Sequence, residues 1–224
     1  MINSKVWLFI LAMLMMHASA DNEGYGENTT YSKYYTSAAL AYCDKTGHLS
    51  DPKDCCSASS WLDYIGFGDM YLGRQDLGNG EEVAYAIASN NYDVVTRPYR
   101  HFLVSWGLEK TKYQKWYEIE KTLRNYEMVD YDLHEVEDGT KVVEYFDRLY
   151  KRIRDRFFED IESMIPFRKN NFQITFIGHS LGGAFAELAA FEFKQRYPDL
   201  SVSIVTFGAP RVGNFKFSSI LAAG

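Results

Sequence analysis

The stretch TFIGHSLGGAFAELAA, residues 175–190, decides the fold. A short apolar run, QITFI at 173–177, leads into Gly178. Ser180 then stands between Gly178 and Gly182, and helical spacing of Ala, Leu and Phe follows over 181–196. The pattern predicts a buried strand, a tight turn and a helix, with G-x-S-x-G at the turn. Each residue type has a physical reason there. A serine at the apex of a strained turn projects its Oγ above the C-terminal edge of a sheet. Gly178 and Gly182 leave room where the helix passes close to the strand. The helix N-terminus aims free N–H groups and partial positive charge at a reacting oxygen. Ser180 is therefore the candidate nucleophile and the Leu181 N–H the expected oxyanion donor. His179 and Gly183 complete the elbow. A phosphate cradle, the competing use of a Gly-rich turn, lacks its G-K-[ST] or G-x-G-x-x-G arrangement.

Outward from the turn, VSIVTF at 202–207 reads as a second buried strand. Residues 141–165 carry Val142, Phe146, Leu149, Ile153, Phe157, Ile161 and Met164 at helical spacing, ended by Pro166. The second half thus runs α-β-α-β, the order of a parallel sheet covered by helices, which places the chain in the α/β class. Residues 31–45 form an expected helix with Tyr34, Ala38, Ala41 and Tyr42 on one face. From 46 to 80 the chain reads as loop, with five glycines in GFGDMYLGRQDLGNG. EVAYAIAS and YDVVT predict two strands joined by Asn90-Asn91. Residues 99–117 are rich in Trp and Tyr without a clean period. They suit either a lid that sets Trp106, Tyr113, Trp116 and Tyr117 against lipid, or a surface helix with its aromatics in the core. No repeat, low-complexity tract or second domain is evident.

The N-terminus reads as an address. MINSK, the apolar run VWLFILAMLMM and the small-residue ending HASA predict a secretory signal peptide over residues 1–20. The run is too short for a membrane anchor, which takes roughly 18 or more apolar residues. Removing it takes one Lys and no acid, leaving 23 basic against 30 acidic residues. So acidic a chain carries no electrostatic footprint for nucleic acid. The three cysteines, Cys43, Cys55 and Cys56, predict one bridge in an oxidising compartment. Adjacent cysteines rarely pair, so Cys43 joins Cys55 or Cys56 and one thiol is left over. Asn28 opens an N-glycosylation sequon.

ITFIGHSLGGAFAELAA, together with VTFGAPRVGN at 205–214, resembles the fungal-type (class 3) lipase family of α/β hydrolases, convincingly over residues 141–217. The resemblance implies an α/β-hydrolase-like, mostly parallel sheet flanked by helices, here a partial domain over 21–224 lacking the C-terminal strands. It implies a secreted enzyme that hydrolyses acylglycerol or phospholipid esters through a Ser180 acyl-enzyme. The partner is then a lipid ester or a lipid–water interface, with no metal and no organic cofactor.

The resemblance also fixes what departs from it. The family takes Ser, Asp and His in that order, yet after Ser180 this chain holds only Asp199 and no His. His48, His101, His134 and His179 remain in the mature chain. Of these, only His101 would approach the site, were 99–117 a lid. The family's F-R-G-[ST] is matched best by VVTRPY, where Pro98 has no N–H to donate. Its K-V-H-x-G-F is matched by KVVEYF at 141–146. These departures keep a second expectation open, a secreted non-catalytic relative that binds lipid or protein.

Overall fold

HFLVSWGL, residues 101–108, has no polar face, and it becomes the middle of the sheet. From Phe102 to Leu108 every residue is buried, as befits a strand covered on both sides. The computed structural model describes residues 30–43, 45–51, 55–78, 81–90, 100–110, 126–131, 139–165 and 172–223. Residues Met1–Ser32 and Lys33–Gly224 form separate units, and the fold below is that of the second. The signal-peptide segment, Asn28, the YDVVT strand, Arg97–Tyr99 and His134 lie outside the described residues.

In chain order the elements are α1 (Thr30–Leu40), β1 (Gly47–His48), α2 (Ser57–Tyr64), β2 (Asp69–Gly78), β3 (Glu81–Ser89) and β4 (Arg100–Lys110). There follow β5 (Met128–Asp130), β6 (Lys141–Val143), α3 (Glu144–Met164), β7 (Phe172–His179), α4 (Leu181–Arg196), β8 (Ser201–Phe207) and α5 (Phe215–Ala223). Six strands make one mixed sheet, ordered β1-β2-β3-β4-β7-β8; β5 and β6 make a separate pair. The expected parallel part is β4-β7-β8, and β1 to β4 extend it in antiparallel fashion.

Aromatic packing dominates one face. Trp106, with no exposed surface, lies 4.8 Å from the Phe157 ring and 5.3 Å from that of Tyr85, and stacks on Phe185. Helices α3 and α4 cover this side. On the other face Leu40 of α1 and Leu62 of α2 pack with Leu72, Ala86, Leu103 and Ile177. Between the covering helices, the buried Glu192 carboxylate accepts from Tyr150 Oη at 3.1 Å and from Arg196 at 2.7 Å, so its charge is not left unpaired.

Several expectations change. Residues 46–80 are not loop: they hold β1, α2 and the ten-residue β2. Glycine masked the strand, because Gly73 pairs with Tyr85 and a Cβ at 73 would meet that ring at 2.1 Å. The aromatic ring covers the gap that an interior strand glycine leaves. The strand beside β3 is β4, in register from Glu81↔Lys110 to Ser89↔Phe102, so with β2 on its other side both edges of β3 are taken. Nor are residues 100–110 a lid or a surface helix, since they are the central strand. Tyr113, Trp116 and Tyr117 lie outside the described residues. Finally, KVV at 141–143 is strand rather than helix, paired with Met128–Asp130.

Trp106→Ala should therefore act as a core cavity mutation. We expect a loss of about 3–5 kcal/mol of stability, read as a lowered urea midpoint at unchanged slope.

Candidate active site

Strand β7 ends at His179 and α4 begins at Leu181, leaving Ser180 as the entire turn. Its φ of 53° and ψ of −122° are strained for a side-chain-bearing residue, and no other non-glycine among the described residues has positive φ. Two hydrogen bonds pin it. The Ser180 N–H donates to Phe207 O at the end of β8 (2.8 Å), and Gly183 N–H donates to Ser180 O (3.0 Å).

Backbone crowding explains the flanking glycines. A Cβ at Gly178 would come within 2.3 Å of Gly182 O, and one at Gly182 within 2.1 Å of Trp106 O. At Gly183 the obstacle is the Ala209 methyl, 2.6 Å away. The first turn of α4 is thus wedged among the ends of β7 and β4 and the loop after β8. Leu181, 5% exposed, opens α4, where the N–H has no intrahelical acceptor. This is the position an oxyanion donor requires.

The loop after β8 is braced by the second motif. Asn214 Oδ1 accepts from Lys141 N (3.2 Å) and Phe217 N (3.0 Å), while its Nδ2 donates to Gly139 O (2.8 Å). Val143 N donates to Val212 O at 2.8 Å. One side chain therefore caps α5 and ties the GAPRVGN loop to β6.

The structure brings no carboxylate–imidazole pair to Ser180 among the described residues. His101 lies at the other end of the sheet: it pairs with Gln173, six residues before His179, roughly 20 Å along β7 at the rise of a strand. It faces Thr175, with Nε2 2.8 Å from Oγ1. Burial, with Lys33 nearby, pushes its pKa down to about 4. The approach imagined for His101 is excluded because its segment is strand β4. His48 sits on the far edge strand, β1. Asp199 is exposed in the turn before β8, again at the opposite end. His179 follows the alternation of Thr175 and Ile177 toward the α1 side; burial lowers its pKa.

Two features escaped sequence reading. The carbonyl of Trp106 is the floor against which Gly182 rests, and only the apolar continuity of HFLVSWGL hinted at a central strand. Glu187, one helical turn beyond Gly183 on α4, is pushed up to about 7 by burial; its signal was a lone acid in the apolar run GAFAELAAF. The cysteines come together as expected: Cys43 is bonded to Cys56 and Cys55 is the free thiol.

A strand–serine–helix elbow on the parallel part of a mixed sheet, with helices on both faces, defines an α/β-hydrolase fold. The profile of the lipase (class 3) family matches residues 103–223, more than half of the chain, and the chain belongs to that family. A secreted mono- and diacylglycerol lipase of Malassezia restricta is 37% identical over 84 residues, covering 37% of this chain and 27% of the relative. A chloroplastic phospholipase A(1) of Arabidopsis thaliana is 37% identical over 71 residues, covering 31% and 16%. Among solved structures, the mono- and diacylglycerol lipase from Aspergillus oryzae superposes with a TM-score of 0.62 at 22% identity, covering 88% of this chain and 68% of that one. A Rhizopus microsporus lipase gives 0.61 at 22% identity, covering 88% and 64%. The match to the Malassezia relative thus spans 27% of that protein's length.

Two outcomes follow from the geometry. Ser180→Gly should raise stability by about 1 kcal/mol, the relieved strain less the added freedom of the unfolded chain, whereas Ser180→Ala should not; chemical denaturation of the pair checks this. A His101 whose folded pKa of about 4 lies below its unfolded 6.5 makes stability fall as pH drops from 6.5 to about 4, because the unfolded state takes up the proton first. His101→Gln should flatten that limb by about 2–3 kcal/mol in a pH series of urea melts.

Proposed function

We propose that this chain is part of a secreted serine ester hydrolase acting on acylglycerol or phospholipid esters, with Ser180 as its nucleophile. The observation that carries the proposal is the left-handed backbone at Ser180, held between β7 and α4. Glycine would make the same turn without strain, so a serine kept there supports a role for its hydroxyl. Ser180 Oγ attacks the ester carbonyl, a general base takes its proton, and the carbonyl oxygen becomes an oxyanion facing the Leu181 N–H. Collapse of that intermediate expels the alcohol, protonated on leaving, and forms an acyl-serine. Water then releases the fatty acid by the same steps in reverse. The family relationship and the printed activities of the relatives support the substrate class.

Secretion rests on the signal-like residues 1–20 and on the secreted fungal relatives. No helix among the described residues is long and apolar enough to cross a membrane.

A second reading is a lipase-like binding protein. It is favoured by the absence, among the described residues, of a carboxylate–imidazole pair at Ser180, His179 being turned toward the α1 side. Without its base a triad serine keeps only the modest residual catalysis of binding and the oxyanion hole.

The deciding experiment treats the protein purified from its natural source with a fluorophosphonate probe and records intact and peptide mass spectra. Labelling on Ser180, abolished in Ser180→Ala, is the expected result. Folded protein that takes no label at Ser180 would favour the binding reading. The same spectra test removal of residues 1–20, expected as a mature terminus at Asp21.

A further inference from the structure

The sulfur atoms of Cys43, Cys55 and Cys56 all lie within 4.8 Å of one another. Two of them form the Cys43–Cys56 bridge and the third is a half-buried free thiol. This arrangement lies outside the ester-hydrolase site, and nothing in the proposed reaction uses it.

The two ends of the bridge are held differently. Cys43 is 3% exposed and fixed by its backbone: its carbonyl accepts from Arg74 Nη2 at 2.8 Å, and Arg74 is itself ion-paired with Glu82. Cys56 is the N-cap of α2. Its carbonyl accepts from Ser59 Oγ (2.8 Å) and its N–H donates to the same oxygen (3.0 Å). Neither of these two contacts involves the Cys56 sulfur, which serves the cap separately as acceptor for the Ser59 N–H, a role a free Cys56 sulfur can keep. Cys55 precedes it in a turn, with its sulfur beside the bonded pair.

We propose that Cys55 is an exchange thiol and that the bridge from Cys43 migrates between Cys56 and Cys55. The Cys55 thiolate attacks the Cys43 sulfur of the existing bond. A Cys43–Cys55 bond forms, the Cys43–Cys56 bond breaks, and Cys56 leaves as a thiolate that takes up the proton Cys55 lost. Two electrons move within the trio, so no oxidant or reductant is needed. Attack on Cys56 instead would join adjacent residues and strand the buried Cys43, so the Cys43-centred route is favoured.

The consequence reaches α1. Ala41 and Tyr42, in the turn that follows α1, lie against Gly107, where a Cβ would stand 3.0 Å from the Tyr42 ring, and Gly107 in turn abuts Gly182. The bridge is the covalent tie between this helix and α2, and exchange shortens the tie by one residue.

The test needs no enzyme assay and is independent of the role of Ser180. The full chain, oxidised and free of added thiol, is held at pH 8, acid-quenched at intervals, denatured and alkylated with N-ethylmaleimide under mildly acidic conditions. Fragment spectra then place the label. We expect one label per molecule, divided between Cys55 and Cys56 with populations within about tenfold of each other. The Cys56→Ser variant should keep a Cys43–Cys55 bridge and take no label, with an unchanged circular dichroism spectrum. Label confined to Cys55 at every time point, or folded Cys56→Ser protein labelled on both remaining cysteines, would overturn the proposal.

Discussion

The fold depends on one crossing of backbone over backbone, where the first turn of α4 lies directly on the ends of β7 and β4. Gly178 faces the Gly182 carbonyl and Gly182 faces the Trp106 carbonyl, at separations that leave no space for a methyl group. With the helix that close, the chain has a single residue in which to turn from strand to helix. Ser180 absorbs the change with a left-handed φ. The β4–β7 register, Trp106 opposite Gly178, brings both carbonyl and glycine to the same level. Trp106 therefore works at two places: its carbonyl supports the elbow, while its indole fills the middle of the aromatic core among Tyr85, Phe157 and Phe185. Loosening that core loosens the floor beneath the serine.

The antiparallel half contributes rigidity at a distance. Tyr85, whose ring covers Gly73, also donates through its hydroxyl to Asp160 on α3, joining β3 to the helix that covers it. Burial and the Asp160 carboxylate together hold that phenol far from ionisation, so it remains a donor at any physiological pH. On the opposite side of the elbow, Asn214 meets three backbone partners and sets the loop that carries Ala209 against Gly183. Strain at Ser180 persists because the sheet register, the aromatic core and this loop all fix its neighbours.

What the sequence revealed follows from how much information each segment carries locally. Residues 172–207 were legible because strand, turn and helix each obey their own period and the glycines mark the contact between them. The helix Leu181–Arg196 was legible to its ends. By contrast, β2 carries a glycine whose role is defined only by Tyr85 twelve residues later, and a strand interrupted by Gly reads as loop. HFLVSWGL lacks alternation because both its faces are covered, so period 2 is absent where burial is greatest. Cys43 was expected to pair with Cys55 or Cys56; choosing between adjacent residues takes the direction of each side chain, which spacing does not carry.

Whether Ser180 is a nucleophile or a relic turns on what its backbone costs and what it gains. A non-glycine in this region costs of order 1–3 kcal/mol, comparable to a large share of the net stability of a small domain. A surface that only bound lipid or protein would gain nothing from it, since glycine satisfies the same turn without strain. A reacting hydroxyl gains elevation above the sheet edge and alignment with the first free N–H of α4, both of which vanish if the turn relaxes. The general base must then approach from the C-terminal edge of the sheet. His101 is locked to Thr175 at the opposite edge and His48 lies on the far strand, so neither of these two histidines is placed to act on Ser180. A histidine held within the sheet, as His101 is by Thr175, also lacks the freedom to hand a proton from one oxygen to another.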